Sequence, residues 1–203
     1  MNDSYPQIVL ASASPRRREL LTQLGLDIAV VPSRAEELFQ AGETPAQHAE
    51  RLSRDKAQEV ASRAGQSGRW FVGSDTIVVL DDTILGKPVD AADAKNMLSR
   101  LAGREHCVIS GYAVFDRQTG RTVSGIVTTR VFFKSLTTQE IEGYIATGEP
   151  FDKAGSYGIQ GIGAFMVPRI EGSYSNVVGL PLCEVMAALE GLGAIELFAQ
   201  GSE

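Results

Sequence analysis

Apolar and polar positions divide this chain into short segments that follow either strand or helix spacing. The run Ile8, Val9, Leu10, Ala11 is uniformly apolar and stops at Ser12, Ala13 and Ser14, ahead of Pro15, Arg16, Arg17, Arg18 and the pair Leu20-Leu21. That reads as a buried strand, a turn and a helix start, since proline suits the first helical position. Residues 26–31 alternate as a short strand ended by Pro32-Ser33, and a polar stretch with Glu36 and Glu37 follows. Thr44 and Pro45 suit an N-cap and a first helical residue, opening a helix to about Ala64. Leu52, Lys56 and Glu59 recur at helical spacing, which sets Lys56 beside the apolar Leu52 face. After a break at residues 65–68, the pair Phe71-Val72 and residues 77–80 flank Gly73, Ser74, Asp75 and Thr76. This predicts a central strand with a functional interruption.

Downstream, Asp81-Asp82 predicts a hairpin-like turn, Ile84-Leu85 a short strand and Gly86-Lys87-Pro88 a rigid loop. Residues 90–101 are amphipathic, with Ala94, Met97, Leu98 and Leu101 on one face and Gly103 as terminator. Residues 107–115 and 122–133, joined by a short polar turn, predict an antiparallel pair, because the connection cannot make a parallel crossover. A helix over about 139–147 closes at Gly148. Gly155, Gly158, Gly161 and Gly163 predict a shaped loop. Residues 164–167 then return to strand, 172–176 form a second loop, and Gly179-Leu180-Pro181-Leu182 leads into a closing helix over 183–192. No repeat or linker divides the chain, so the expectation is one α/β unit over 1–203, parallel at its start and antiparallel in its middle.

Composition narrows the partners. A chain of 203 residues, 43% hydrophobic and 22% charged, suits one domain or two small lobes sharing a core. The formal net charge of -6 argues against a stable nucleic-acid partner, although a nucleotide needs only a local basic pocket. Cys107 and Cys183 lack ligand-like spacing and lie in apolar surroundings, which predicts buried thiols in a reducing compartment. With no signal-peptide pattern and no segment able to span a bilayer, a cytoplasmic protein without a membrane partner is expected. His48 is expected to face solvent, while His106 is either structural or a support behind the site. Neither a GxxxxGK[ST] phosphate loop nor a GxSxG elbow occurs.

Four groups carry candidate chemistry: Arg16 to Arg18 after the first strand, Glu36 with Lys56, Asp75 with Lys87, and Lys153 with Gln160. Free N–H groups at a helix start, small hydroxyls and guanidinium forks are what phosphate binding requires. A solvent-exposed cap with surface arginines would read the same. Asp75 is the carboxylate that stands out, because a charge in apolar surroundings needs a metal, a lysine or substrate to compensate it. A turn aspartate at a strand end is its alternative. Glu36 could supply a second metal oxygen, and sequence does not separate it from Glu37.

Several separated segments together resemble the Maf family, nucleoside triphosphate pyrophosphatases once described as septum formation inhibitors. They are Leu10-Ala11-Ser12-Ala13-Ser14-Pro15-Arg16-Arg17, Arg51-Leu52-Ser53-Arg54-Asp55-Lys56-Ala57, Gly73-Ser74-Asp75-Thr76, Gly86-Lys87-Pro88, the stretch from Asp152-Lys153 to Gln160-Gly161, and Val178-Gly179-Leu180-Pro181-Leu182. The resemblance spans about residues 8–192. It implies a Maf/ITPase-like two-lobed α/β fold with an elongated twisted mixed sheet and a central cleft, often as a homodimer. It also implies hydrolysis of a nucleoside triphosphate to the monophosphate and pyrophosphate with Mg2+ or Mn2+. Residues 152–161 resemble the branch preferring dTTP and UTP, with modified pyrimidine triphosphates accepted by analogy. Position by position, the resemblance implies Asp75 as proton acceptor and metal-side acid, Glu36 as another metal-side acid, and Arg16, Thr76 and Gln160 in substrate selection. Ser12, Arg17, Lys56 and Lys87 fall on the phosphate-binding side, and Lys153 is expected as a further substrate-binding residue. Ser74 stands where alanine is usual, and Ser110-Gly111 where threonine is common. A nucleotide-binding regulator of septum formation with little turnover is the alternative.

Overall fold

The computed structural model describes residues 6–197. Strand β1 (Ile8–Leu10) is buried along its whole length, as an apolar run without alternation demands when both faces are covered. Helix α1 (Pro15–Thr22) follows, with the Ser14 side chain accepting from the Arg17 backbone N–H. Strand β2 (Ile28–Val30) leads by a long polar connection to helix α2 (Pro45–Ala61), which opens on a reciprocal cap between Thr44 and Gln47. Such a cap is worth about 1 kcal/mol because it satisfies N–H groups the helix cannot.

Strand β3 (Trp70–Leu80) turns back through Asp81 and Asp82, both at positive φ, into β4 (Thr83–Leu85). Helix α3 (Ala91–Leu101), the long strands β5 (Glu105–Asp116) and β6 (Thr122–Phe132), and helix α4 (Thr138–Ala146) come next. Three 3-10 turns, Glu149–Asp152, Ala154–Ser156 and Gly161–Met166, precede β7 (Arg169–Glu171), α5 (Tyr174–Val178) and α6 (Leu182–Gly191). The strands form one open seven-stranded sheet ordered β2-β1-β3-β5-β6-β7, with β4 added to β3. Only the pairings of β1 with β2 and β3 are parallel; the others are antiparallel. The fold is therefore α/β with a mixed sheet flanked by helices.

Apolar clusters cover the sheet at both ends. At the parallel end Leu10, Leu21, Val72, Leu180 and Leu189 pack on one face, while Val9, Phe71, Ala57 and Val60 pack on the other. The antiparallel end is closed by Leu80, Leu98, Leu101, Val131 and Met166. Each fully buried side chain of this size contributes roughly 1.5–3 kcal/mol.

Five expectations need correction. The segment Gly73-Ser74-Asp75-Thr76 does not interrupt its strand: β3 runs through it in continuous register with β5. Its small residues answer to crowding instead, since a Cβ on Gly73 would stand 2.0 Å from Ser53 O in α2. Residues 164–166 belong to a 3-10 turn that Val167 ends, not to a strand; they link toward the sheet through Met166 O, which accepts from the Lys134 N–H just past β6 at 3.0 Å. Residues 172–176 are not all loop, because Ser173 caps α5 through the Asn176 N–H. Cys183 is exposed on α6 and Cys107 is half-buried, so neither is a fully buried thiol. His48 is buried, held by Glu43 at 3.0 Å and stacked near Phe39. With a hydrogen-bond partner on Nδ1, the ring can be buried without leaving that nitrogen unsatisfied.

Candidate active site

A cleft of about 400 Å³ opens where the end of β1, the middle of β3, the loop over residues 152–160 and the α5–α6 junction meet. Its first wall is the turn after β1. Ser12 is buried, and its hydroxyl accepts from the Ser14 N–H at 3.2 Å and from Arg17 Nη1 at 3.1 Å. The Arg17 fork continues inward: Nε donates to Gly179 O at 2.7 Å, Nη1 to Ser74 O at 2.8 Å and Nη2 to Thr76 Oγ1 at 3.1 Å. Burial pulls the Arg17 pKa down, opposed by Asp75 and Glu37, and a guanidinium stays charged regardless. Arg17 thus fastens α1 to β3 and to the α5–α6 junction. Thr76 Oγ1 also lies 2.8 Å from Ser110 Oγ and donates to Gly179 O at 3.2 Å, so its hydroxyl is engaged inside the wall.

The floor holds an ion pair. Lys56 Nζ lies 2.6 Å from Asp75 Oδ1, and both side chains are only 10% exposed. Desolvation cancels much of the attraction in such a pair, while loss of one partner strands a buried charge at a cost of roughly 3–5 kcal/mol. Lys56 reaches Asp75 because Gly73 and Gly111 bring the α2 backbone onto the sheet; a Cβ on Gly111 would sit 2.0 Å from Ala49 O. The same ammonium meets Glu37 Oε1 at 2.5 Å. Glu36, expected here as the second acid, is exposed and lines a separate groove with Phe39, Arg51 and Glu59. Both glutamates lie against α2, but adjacent side chains point apart, and only Glu37 meets Lys56.

On the opposite wall, Lys153 Nζ donates to Glu149 O and to Asp152 Oδ1, each at 2.6 Å. Arg16 Nη1 reaches Asp152 Oδ2 at 3.1 Å, an ion pair spanning the cleft. Burial opposes it, but the Lys153 and Arg16 hydrogen bonds hold the Asp152 carboxyl below its ordinary range. Lys87 and Gln160 line the same space. Lys87 is exposed and Gln160 half-buried, and neither side chain has a polar partner among the described residues.

Sequence reasoning passed over Glu37, Asp152 and Tyr157 as site residues. Tyr157 lines the cleft with its ring while its hydroxyl meets His106 Nε2 at 2.7 Å behind the wall. Burial pushes the His106 pKa down to about 4. Of the three, Asp152 and Tyr157 were legible as polar and aromatic members of the glycine-dense segment, whereas Glu37 had no signal to separate it from its neighbour.

Among the described residues no group of three or more His, Cys, Asp or Glu is placed to hold a metal. The two carboxylates converging on Lys56 nonetheless suit magnesium, which keeps several waters and binds through one or two carboxylates plus substrate phosphates. Chemically, the cleft combines cations on three sides with a buried carboxylate on its floor. That arrangement can hold a polyanion and take a proton.

The family model described as "Maf-like protein" matches residues 7–192. The dTTP/UTP pyrophosphatase of Syntrophotalea carbinolica is 67% identical over 192 residues, 95% of this chain and 87% of that protein. The protein of the same name from Geotalea uraniireducens is 54% identical over 196 residues, covering 97% and 100%. That from Vibrio cholerae is 56% identical over 178 residues, covering 88% and 94%. Among solved structures, a nucleoside-triphosphatase / dITP/XTP pyrophosphatase from Mycobacterium abscessus is 16% identical, with a TM-score of 0.42 over 92% of this chain and 94% of that one.

Proposed function

This chain belongs to the Maf family, and from that membership we propose that it hydrolyses nucleoside triphosphates, dTTP and UTP foremost, to the monophosphate and pyrophosphate. The observation that carries the reading is the Asp75–Lys56 pair on the floor of a cleft lined by Arg16, Lys87 and Lys153. Lys87, with no polar partner among the described residues, and Lys56 bind the triphosphate; the Ser12 to Arg17 turn shapes the wall it lies against. Asp75 Oδ1 is occupied by Lys56, which leaves Oδ2 to take a proton from water. The water oxygen bonds to the α-phosphorus, the bond from that phosphorus to the bridging oxygen breaks, and pyrophosphate leaves with the electron pair. Gln160, able to donate and accept, contacts the pyrimidine edge. Arg16 exchanges Asp152 for substrate.

Magnesium or manganese, held by Asp75 and Glu37 with phosphate oxygens, would neutralise charge on the triphosphate. The family resemblance also supports a homodimer in the cytoplasm; no helix among the described residues is long and apolar enough to cross a membrane.

The test is incubation of the purified protein with each common and modified nucleoside triphosphate and a divalent metal, with separate detection of monophosphate and pyrophosphate. Stoichiometric dTMP and pyrophosphate from dTTP, abolished by chelator, is the expected result. Asp75→Asn should lower the rate by roughly 10²–10⁴-fold, more than its loss of stability in a thermal melt accounts for. Tight binding of dTTP without product would overturn the enzyme in favour of a nucleotide-binding regulator.

A further inference from the structure

Behind the cleft, one carboxylate outside the proposed chemistry ties down both flanks of the loop that carries Gln160. Glu149 is half-buried at the start of the first 3-10 turn. Its Oε1 accepts from the Gly163 N–H at 3.1 Å and from the Tyr144 hydroxyl at 3.0 Å, and its Oε2 accepts from the Ile162 N–H at 3.0 Å. The Tyr144 hydroxyl in turn accepts from the Gly158 N–H at 3.2 Å. Residues 158 and 162–163 are thereby pinned to one carboxylate and one phenol, and Gln160 lies between the pins. Space around the pin is tight. Gly161 turns at a φ of 75°, and a Cβ there would stand 3.0 Å from Glu149 Oε2.

Apolar contacts hold the rest of this stretch: Tyr157 and Met166 are buried, and Ile159 packs against the core. Between those contacts it makes no strand pairing; Ile162 is exposed, and Phe165, also exposed, meets the Tyr144 ring edge and the Lys134 ammonium. Hydrogen bonds from backbone N–H groups to a carboxylate are stronger than neutral ones, so this anchor supplies the strongest polar contacts on residues 158–163. The Glu149 carboxyl is held below its ordinary range: burial works against ionisation, but the Gly163 and Ile162 N–H groups and the Tyr144 hydroxyl outweigh it.

We infer that Glu149, through Tyr144, is a positioning residue for nucleobase selection, setting the height and direction of Gln160 in the cleft. The inference rests on the pyrimidine triphosphatase reading above. A group that acts by placing another should raise KM and blunt discrimination while leaving the chemical step nearly intact.

The experiment measures kcat and KM for dTTP, UTP, CTP and GTP in the wild-type chain, Glu149→Ala, Gln160→Ala and the double variant, with thermal melts on each. Glu149→Ala should raise KM for dTTP and UTP about tenfold with kcat changed less than about threefold, and flatten the ranking toward that of Gln160→Ala. The double variant should be no less selective than Gln160→Ala alone. Should Glu149→Ala fail to fold, Tyr144→Phe keeps the ring in the core and releases one flank of the loop, with a smaller loss of ranking expected. An unchanged ranking in a folded Glu149→Ala or Tyr144→Phe chain, or additive losses in the double variant, would overturn the positioning role. A wild-type chain inactive on every triphosphate would instead remove the hydrolase reading, and this inference with it.

Discussion

Arg17 makes four hydrogen bonds through its guanidinium, two of them to main-chain carbonyls of segments far away in sequence. A lysine there has the charge but not the fork, and can satisfy only part of this set. Arg17→Lys should therefore destabilise the chain by roughly 2–4 kcal/mol, since buried acceptors lose their donors. Urea unfolding checks this, and a change below about 0.5 kcal/mol would show that water takes over the contacts. Arg17 and its neighbour Arg16 look alike in sequence, yet Arg16 meets a single exposed carboxylate across the cleft. The chain's order of residues made both arginines candidates for phosphate; the surroundings made the first a fastener and left the second available.

Among the elements, the contact of α2 with β3 and β5 decides whether the site exists. Gly111 admits the helix backbone, with Ala49 O and Glu50 N inside the space of a Cβ at 2.0 and 2.6 Å. Neither neighbour can yield, being main chain inside a helix. Gly111→Ala should cost more than about 3 kcal/mol, and lift Lys56 away from Asp75 so that kcat/KM falls as well. Gly143, exposed in α4 with open space around its Cα, is the control. Gly143→Ala should stabilise by about 0.5–1 kcal/mol with activity unchanged. Comparable melting of the two variants would remove close approach as the reason for glycine at 111. The helical spacing of Leu52 and Lys56 was readable beforehand. That Lys56 would be buried against a strand was not, because depth depends on the partner surface.

For the molecule as a whole, acid is the condition that tests the charge arrangement. His106 titrates near 6.5 when free, but burial lowers it to about 4 in the fold. Between those values the unfolded chain binds the extra proton, so stability falls as pH drops from 6.5 toward 4, by up to about 3 kcal/mol. A second decline follows. Glu43, Glu59 and Glu140 are held at about 2 by Arg51, Arg63 and Lys134 respectively. Their contributions are present above 4.5 and are lost as pH falls toward 2. Urea midpoints at pH 7.5, 5.5 and 4 should decline steadily in the native chain, and the upper part of that decline should flatten in His106→Asn. An unaltered slope in the variant would assign the upper loss to other groups.

What the sequence determined by itself is local: the uniform burial of β1, the capped start of α2, the Asp81-Asp82 turn, the antiparallel pairing of β5 with β6, and the set of segments that mark the family. Each depends on neighbours a few residues apart, where periodicity, capping and turn chemistry act directly. Tertiary structure alone decided which of Glu36 and Glu37 faces Lys56, that His48 lies inside and Cys183 outside, and that β3 passes unbroken through Asp75. It also brought Glu149 against the loop that carries Gln160. These outcomes depend on the distance between surfaces far apart in the chain. At that range a single hydrogen bond or one missing Cβ outweighs a local preference.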